Sequence, residues 1–193
     1  DTSRALALSG AIGLLTVLYA SYRMAFVDAL SGLPNRRALD ETLARLTGDY
    51  ALAMVDVDHF KSFNDSHGHD AGDKVLQAGA GELRRERRGR AFRYGGEEFC
   101  LLVTGARSRE AVRMCDQTRR AVEQMRVRIR SAPKKPRGGQ AVKRREDVET
   151  NVTVSIGVAL RDAQTRLAAD VLKAADQALY QAKLRGRNRV VAR

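Results

Sequence analysis

Three carboxylates could act together if the fold brings their parts of the chain side by side: Asp56, Glu97 and Glu98. Asp56 follows the apolar residues Tyr50–Val55 near the end of a predicted buried strand, Tyr50–Val57. A carboxylate there is unfavourable unless it is paired or binds a cation. The two glutamates follow Gly95-Gly96, a pair that commonly links two strands of a hairpin. If the hairpin lies beside the first strand, Asp56 meets one of them, and such oxygen ligands suit Mg²⁺ or Mn²⁺. The ordinary alternative is that acids beside a tight turn serve solubility.

Cations stand where they could hold a phosphate chain near these acids. Lys61 comes shortly after the first strand, and Lys183 and Arg187 lie near the end of the last predicted helix. Lys183 and Arg187 are four residues apart, so they share a face if the helix continues that far. Each of the three, taken alone, is more often a surface cation.

The elements that must position these residues follow from hydrophobic periodicity. Asn35 can cap a helix that contains Leu39, Leu43 and Leu46. Further along, the pattern predicts strands at 50–57, 91–94, 97–103 and 151–160, helices at 70–87, 108–127 and 167–184, a helix stop at Gly186, and a last edge strand at 190–191. This order predicts an α+β fold of the split βαβ kind, with a mixed, mostly antiparallel five-stranded sheet and helices on one face.

Composition narrows the class of protein. The 193 residues are 44% hydrophobic, which supports a real core and argues against disorder. Cys100 and Cys115 make no disulfide framework, and we expect both to be small core side chains. The net charge of +12 favours polyanionic partners such as nucleic acid, an anionic membrane surface or nucleotide phosphates.

The first 27 residues contain a mostly apolar stretch at 5–20. This stretch is shorter than the roughly 20 residues that a spanning helix needs. We interpret it as the end of a transmembrane helix, because Ser9, Gly10, Gly13 and Thr16 are small residues that let membrane helices approach. A helical stalk that pairs with a second copy, or a helix packed on the domain itself, would fit the same sequence.

Six motifs, in order, resemble those of the GGDEF family of diguanylate cyclases. Gly95-Gly96-Glu97-Glu98-Phe99 is similar to the signature loop, in its GGEEF form. The other five are residues 28–37 (DALSGLPNRR), 56–65 (DVDHFKSFND) with Gly68-His69 and Gly72-Asp73, 155–157 (SIG), 175–180 (ADQALY) and 183–188 (KLRGRN). The resemblance covers about residues 28–191, and agreement of six motifs in order is far more specific than one match.

The resemblance implies a palm-like nucleotidyl cyclase fold and a role for each matching position. Two Mg²⁺ or Mn²⁺ ions are expected at Asp56, the Val57 carbonyl, Glu97 and Glu98, with Glu97 also helping to deprotonate the attacking hydroxyl. Substrate contacts fall to Asn64 and Asp73 for the guanine, and to Lys61, Lys183, Arg187 and the backbone near Phe60 for the triphosphate. Supporting or structural roles are expected for Asp58, Arg93 and His69.

The same resemblance implies an assembly. Each domain would hold one GTP, and two copies would face each other to form cyclic di-GMP, so a homodimer is expected for catalysis. Residues 1–27 would be the end of a transmembrane or signalling helix and 28–193 the catalytic domain. The full-length protein would then carry this domain in the cytoplasm, tethered to the bacterial inner membrane.

Two places depart from the family pattern. An inhibitory product site of the form Arg-x-x-Asp is expected to be absent, because Glu86 and Gly89 stand where its Arg and Asp would be. Residues 126–145 hold nine Lys or Arg and no acid, and we interpret them as a surface loop that could contact anionic lipid. Two rival functions remain: a domain that binds GTP or cyclic di-GMP and signals through a partner, and a nucleic-acid binder, which only the charge suggests.

Overall fold

The structure is a computed structural model that describes residues 2–130, 147–162 and 167–193. The helices within these residues are α1 Thr2–Phe26, α2 Arg36–Ala44, α3 Phe60–His67, α4 His69–Arg85, α5 Ala111–Gln124 and α6 Ala168–Leu184. The strands within them are β1 Tyr50–Val57, β2 Arg90–Gly95, β3 Glu98–Thr104, β4 Val127–Arg130, β5 Asp147–Thr150, β6 Val154–Leu160 and β7 Val190–Ala192. A 3₁₀ segment, Gly105–Glu110, leads into α5.

The main sheet has five strands in the order β2-β3-β1-β6-β7. Every pair is antiparallel except β6 with β7, so the predicted mixed and mostly antiparallel sheet is confirmed. β1 lies at the centre, and the hairpin strand β3 lies directly beside it. This arrangement puts Asp56 opposite Glu98 on one side and opposite Ser155 on the other.

Helices pack on both faces of the sheet, so the prediction of one covered face is wrong. Side chains of β1 alternate between two core clusters. One contains Ala51, Ala53 and Val55 together with residues of α4 and α5, and the other contains Tyr50, Leu52 and Met54 together with residues of α2 and α6. The sequence of β1 gives the physical reason. Tyr50–Val55 is a continuous apolar run without polar alternation, as expected for a strand that is buried on both faces.

Helix α6 lies unusually close to β6. A Cβ atom added to Gly157 would be 2.0 Å from the backbone nitrogen of Leu179 and 2.2 Å from the carbonyl oxygen of Ala175. Only glycine permits this approach of helix backbone to strand backbone. The contact brings the end of α6, and with it Lys183, over the end of the central strand.

Helix α3 was not predicted. Its sequence, FKSFNDSH, has few apolar positions, and only Phe60 is buried. The helix begins after His59, which adopts the left-handed conformation with φ of 57°, so the chain turns sharply out of β1. Gly68, with φ of 86°, then separates α3 from α4.

The start of the basic segment is a strand rather than a loop. Val127–Arg130 pairs antiparallel with Asp147–Thr150, and Val127 and Ile129 reach the core. Their apolar side chains alternate with Arg128 and Arg130, a half-buried strand pattern that the clustering of basic residues obscured. The rest of the predicted loop, at 131–145, lies outside the described residues.

Helix α1 covers the apolar N-terminal stretch, and large side chains along it are exposed. Leu15, Tyr19 and Met24 have exposed fractions of 65%, 64% and 84%. Across residues 2–130, 147–162 and 167–193, the structure contains no helix with the length and apolar character needed to cross a membrane. The assignment of residues 1–27 to a signalling helix stays a prediction.

Both cysteines are buried and free, as predicted. Burial raises the pKa of the Cys100 thiol to about 12, and the pKa of Cys115 likewise to about 12. Neither forms a reactive thiolate at neutral pH.

Candidate active site

The centre of the candidate site is Asp56, which is 5% exposed at the end of β1. Its Oδ2 atom lies 2.8 Å from Nζ of Lys183, the residue before the end of α6. Burial raises the pKa of Asp56, and the neighbouring Lys183 only partly offsets that effect. The carboxylate is therefore held in a place where its charge is poorly stabilised, and additional positive charge would stabilise it.

The two glutamates lie beside Asp56 at the same edge of the sheet. Glu98 is its cross-strand partner on β3, so the two side chains share a face. Glu97 lies in the hairpin turn, and its carbonyl accepts a hydrogen bond of 3.4 Å from the Val57 N–H. Burial raises the pKa of both glutamates, and the charge of Asp56 raises each further.

This donor set fits a divalent cation. Burial raises the pKa of all three carboxylates, and the charge of Asp56 raises the pKa of both glutamates further, so the group lacks positive charge. Oxygen ligands of this kind suit Mg²⁺ or Mn²⁺. As they stand, no three His, Cys, Asp or Glu side chains of the described residues converge to hold a metal ion. Mg²⁺ is commonly bound through one or two carboxylates plus substrate phosphates, so a complete protein cage is not required.

Arg93 and Asp28 fix the hairpin turn that carries the glutamates. The Arg93 guanidinium donates to the Gly96 carbonyl at 3.2 and 2.6 Å and to Oδ1 of Asp28 at 2.8 Å. Burial alone would raise the pKa of Asp28, but hydrogen bonds from Arg93 and Ser31 bring that pKa below its usual value. Arg93 thus joins the turn backbone to Asp28, and its supporting role stays a prediction.

Helices α3 and α4 form a second part of the site. Asn64 on α3 faces Gly72 on α4, where an added Cβ atom would lie 1.9 Å from the Asn64 amide oxygen. That oxygen is buried and accepts no hydrogen bond from any described residue, so it could accept one from a ligand. Asp73, next to Gly72, is exposed.

Two further predicted substrate residues, and His69 with its predicted supporting role, lie at the starts of these helices. Phe60 begins α3, where the first backbone N–H groups of a helix lack intrahelical partners. Lys61 follows it and is exposed. His69 is the first residue of α4 and is exposed as well, so it stands at the loop between the two helices.

Arg187 does not share a helical face with Lys183, because α6 ends at Leu184. Gly186, Arg187 and Asn188 have φ of 105°, 62° and 44°, and three successive left-handed residues turn the chain away from the helix axis. The charge of Arg187 still lowers the pKa of Asp56, so the loop keeps this cation near the carboxylates.

Asp58 is held entirely by protein groups. It is 6% exposed, and its carboxylate accepts hydrogen bonds from Thr153 at 2.7 Å, Ser155 at 2.6 Å and the Asn188 N–H at 3.0 Å. Spacing in the sequence does not reveal these contacts, because the partners lie about 95 to 130 positions away. These bonds join three segments of the chain, and a structural or supporting role for Asp58 stays a prediction.

Where the family's inhibitory product site would lie, Glu86 and Arg88 form hydrogen bonds with each other. Glu86 accepts hydrogen bonds from Arg88 at 2.8 and 2.7 Å, and Arg88 also donates to Gln117. Gly89 lies against the Leu102 carbonyl. That this site is absent stays a prediction.

Comparison with known proteins identifies the family. The family model described as "Diguanylate cyclase, GGDEF domain" matches residues 25–189. The chain belongs to this GGDEF family of diguanylate cyclase domains.

Individual relatives agree with this assignment. "Diguanylate cyclase DgcP" of Pseudomonas aeruginosa is 41% identical over 175 residues, which cover 86% of this chain and 24% of DgcP. "Diguanylate cyclase VdcA" of Vibrio cholerae is 38% identical over 172 residues, which cover 86% of this chain and 47% of VdcA. The chain therefore spans about a quarter to a half of the length of these relatives.

A solved structure shows the same fold. The coiled coil and GGDEF domain of DgcB from Caulobacter crescentus, in complex with c-di-GMP, superposes with a TM-score of 0.79 at 32% identity. The match covers 98% of this chain and 96% of that one.

Proposed function

We propose that this chain is the catalytic domain of a diguanylate cyclase, which condenses two GTP molecules into cyclic di-GMP and releases two pyrophosphates. The observation that carries the proposal is the group of Asp56, Glu97 and Glu98 at one sheet edge, with raised pKa values and Lys183 beside them. Such a group is suited to bind a cation and a polyphosphate together.

The residues that would hold divalent cations are Asp56, Glu97, Glu98 and the Val57 carbonyl. When bound, Mg²⁺ or Mn²⁺ would neutralise the triphosphate and lower the pKa of the attacking hydroxyl. Two ions per site would suit the charge of the substrate. Glu97, whose pKa is raised by burial and by Asp56, is suited to accept the hydroxyl proton near neutral pH.

The substrate would extend from the carboxylates at the sheet edge to helices α3 and α4. Lys61, Lys183 and Arg187 would hold the triphosphate, assisted by the free N–H groups at the start of α3 near Phe60. Asn64 and Asp73 would bind the guanine edge, since an amide and a carboxylate can pair with its acceptor and donor groups. The buried, unpaired oxygen of Asn64 supports this assignment.

In the reaction, the ribose 3′-oxygen of one GTP forms a bond to the α-phosphorus of the other. The bond from that phosphorus to the oxygen of pyrophosphate breaks, and the hydroxyl proton passes to Glu97. Each domain holds one GTP, so two copies must face each other, and a homodimer is part of the active site. Most of the rate then comes from positioning and electrostatic stabilisation, as in other phosphoryl transfers.

The proposal also covers where the domain acts in the cell and what controls its pairing. A GTP-consuming domain of this kind would act in the cytoplasm, and the helix at residues 1–27 would control how often two copies meet. An inner-membrane tether and a lipid contact through residues 126–145 stay predictions.

The test is GTP turnover with Mg²⁺ at several protein concentrations, with Glu97→Gln in parallel. We expect cyclic di-GMP to rise more steeply than linearly with protein concentration and to fall at least about a hundredfold in the variant. Binding of GTP without product at high protein concentration would instead favour a domain that binds nucleotide and signals through a partner.

A further inference from the structure

The loop that carries Arg187 is fastened to the rest of the domain through Asn188. The Asn188 backbone N–H donates to Oδ2 of Asp58 at 3.0 Å, at the end of the central strand. Its side-chain amide donates to Oε1 of Glu123 at 2.7 Å and accepts from Nη1 of Arg119 at 2.8 Å. One residue thus joins the central strand to helix α5.

The anchor on α5 is itself held by ion pairs. Arg119 is 12% exposed and forms ion pairs with Asp116 at 3.0 Å and with Glu123 at 2.8 Å. Hydrogen bonds from Asn188 and Arg119 lower the pKa of Glu123, so this acid stays charged at neutral pH. Both partners of the Asn188 amide therefore keep fixed positions and charges.

The loop needs such an anchor because its backbone is unfavourable. Arg187 and Asn188 have φ of 62° and 44°, and a side-chain-bearing residue in this region is held there only by surrounding contacts. The Arg187 N–H donates to the Ala182 carbonyl at 3.0 Å, and the Arg187 carbonyl accepts from Nε of Arg189 at 3.0 Å. The backbone of Arg187 is thereby fixed on both sides, directly before Asn188.

We propose that Asn188 is a positioning residue, and that its bonds to Asp58, Arg119 and Glu123 hold Arg187 in the direction that grips the GTP triphosphate. The proposal rests on the proposed function, since it assigns Arg187 to that triphosphate. Asp58 then holds the loop from the side of the sheet, while α5 holds it from the other side. In this arrangement, Asn188 and Arg119 would act on the substrate only through Arg187.

The test measures affinity for the α,β-methylene analogue of GTP with Mg²⁺, which binds without release of pyrophosphate. Arg119→Ala removes the α5 side chain that donates to the Asn188 amide oxygen. Arg120→Ala is the matched control, because Arg120 is the next residue on α5 and its ion pair among the described residues is with Asp116 alone. We expect Arg119→Ala to weaken binding about five- to thirtyfold and Arg120→Ala to leave it within about twofold. Asn188→Gly tolerates the left-handed backbone and keeps the ion pairs of α5. It should weaken binding of the analogue by a similar factor.

A double-mutant cycle separates positioning from general damage. In an Arg187→Ala background, Arg119→Ala should cause no further loss of affinity, because the cation it directs is gone. An equal loss in both backgrounds, or equal affinities for Arg119→Ala and Arg120→Ala, overturns the inference while the proposed function stands. Failure of the wild-type chain to bind the analogue overturns the proposed function and the inference with it. If Arg119→Ala does not fold, the same cycle with Asn188→Gly decides.

Discussion

The ammonium of Lys183 lies 2.8 Å from the carboxylate of Asp56, although the two residues come from the last helix and the central strand. The pair places one cation among three carboxylates whose pKa values are all raised. The site is therefore short of positive charge even with Lys183 in place. Such a site gains stability when a divalent cation and its bound phosphates arrive.

The first prediction concerns the pKa of Asp56. Burial raises this pKa and Lys183 lowers it, so Lys183→Met should raise it further. The measurement is an NMR titration of the side-chain carboxyl without metal. Lys173→Met, at an exposed position on the same helix, should leave the pKa unchanged. An unchanged pKa in Lys183→Met would mean that the ion pair does not form.

The second prediction concerns the effect of the Glu97 charge on the stability of the fold. Glu97 has a raised pKa in the folded chain, so its charge destabilises the fold as the pH rises through that pKa. Without metal, Glu97→Gln should therefore raise the unfolding midpoint at pH 7.5 by a few degrees, on the order of 1 kcal/mol or less. With Mg²⁺ present, turnover of the same variant should be at least about a hundredfold lower.

The cause of this stability difference between Glu97→Gln and wild type can be tested through its pH dependence. Below the ordinary pKa of a glutamate, both chains are neutral at this position, and the advantage of Glu97→Gln should disappear. Glu41→Gln, at an exposed position on α2, should show no such dependence. Equal midpoints for wild type and Glu97→Gln at pH 7.5 would contradict the idea that burial and the charge of Asp56 make the Glu97 carboxylate unfavourable in the fold.

The central strand and the hairpin could be predicted from the sequence because their signals are local. Tyr50–Val55 is a continuous apolar run, and Gly95-Gly96 joins two strand-like segments. Helix α3 could not be predicted, since its polar sequence is helical only because His59 turns the chain and α4 packs alongside. The contacts of Asp58 were equally hidden, because hydrogen bonds between distant segments leave no periodic pattern.

The third prediction tests the guanine side of the site. In Gly72→Ala, the new Cβ atom would lie 1.9 Å from the amide oxygen of Asn64, a side-chain atom that can move. We expect the fold to survive, because the clash involves the end of a side chain rather than backbone. Affinity for GTP should fall about fivefold, corresponding to one lost hydrogen bond, and the preference for GTP over ATP should narrow.

The matched control for Gly72→Ala is Gly81→Ala on the same helix, where the added Cβ atom meets nothing within 4 Å. Gly81→Ala should bind GTP as tightly as wild type and keep its preference for GTP over ATP. The measurement is an equilibrium titration of each variant with GTP and with ATP. An unaltered preference for GTP in Gly72→Ala would exclude Asn64 from base recognition.

The fourth prediction concerns the contact that places Lys183. In Gly157→Ala, the added Cβ atom would overlap backbone atoms of Leu179 and Ala175, which cannot move unless α6 moves as a whole. We expect a loss of about 3 kcal/mol in the free energy of unfolding, which lowers the melting midpoint by about 10 °C. Gly81→Ala should instead stabilise the chain by about 0.5–1 kcal/mol, because alanine favours the helix and has room there. Where Gly157→Ala still folds, the displaced helix should carry Lys183 away from Asp56, so the NMR titration should give Asp56 a higher pKa than in wild type. A Gly157→Ala variant with the stability of wild type would show that α6 does not lie against β6 as closely as the structure has it.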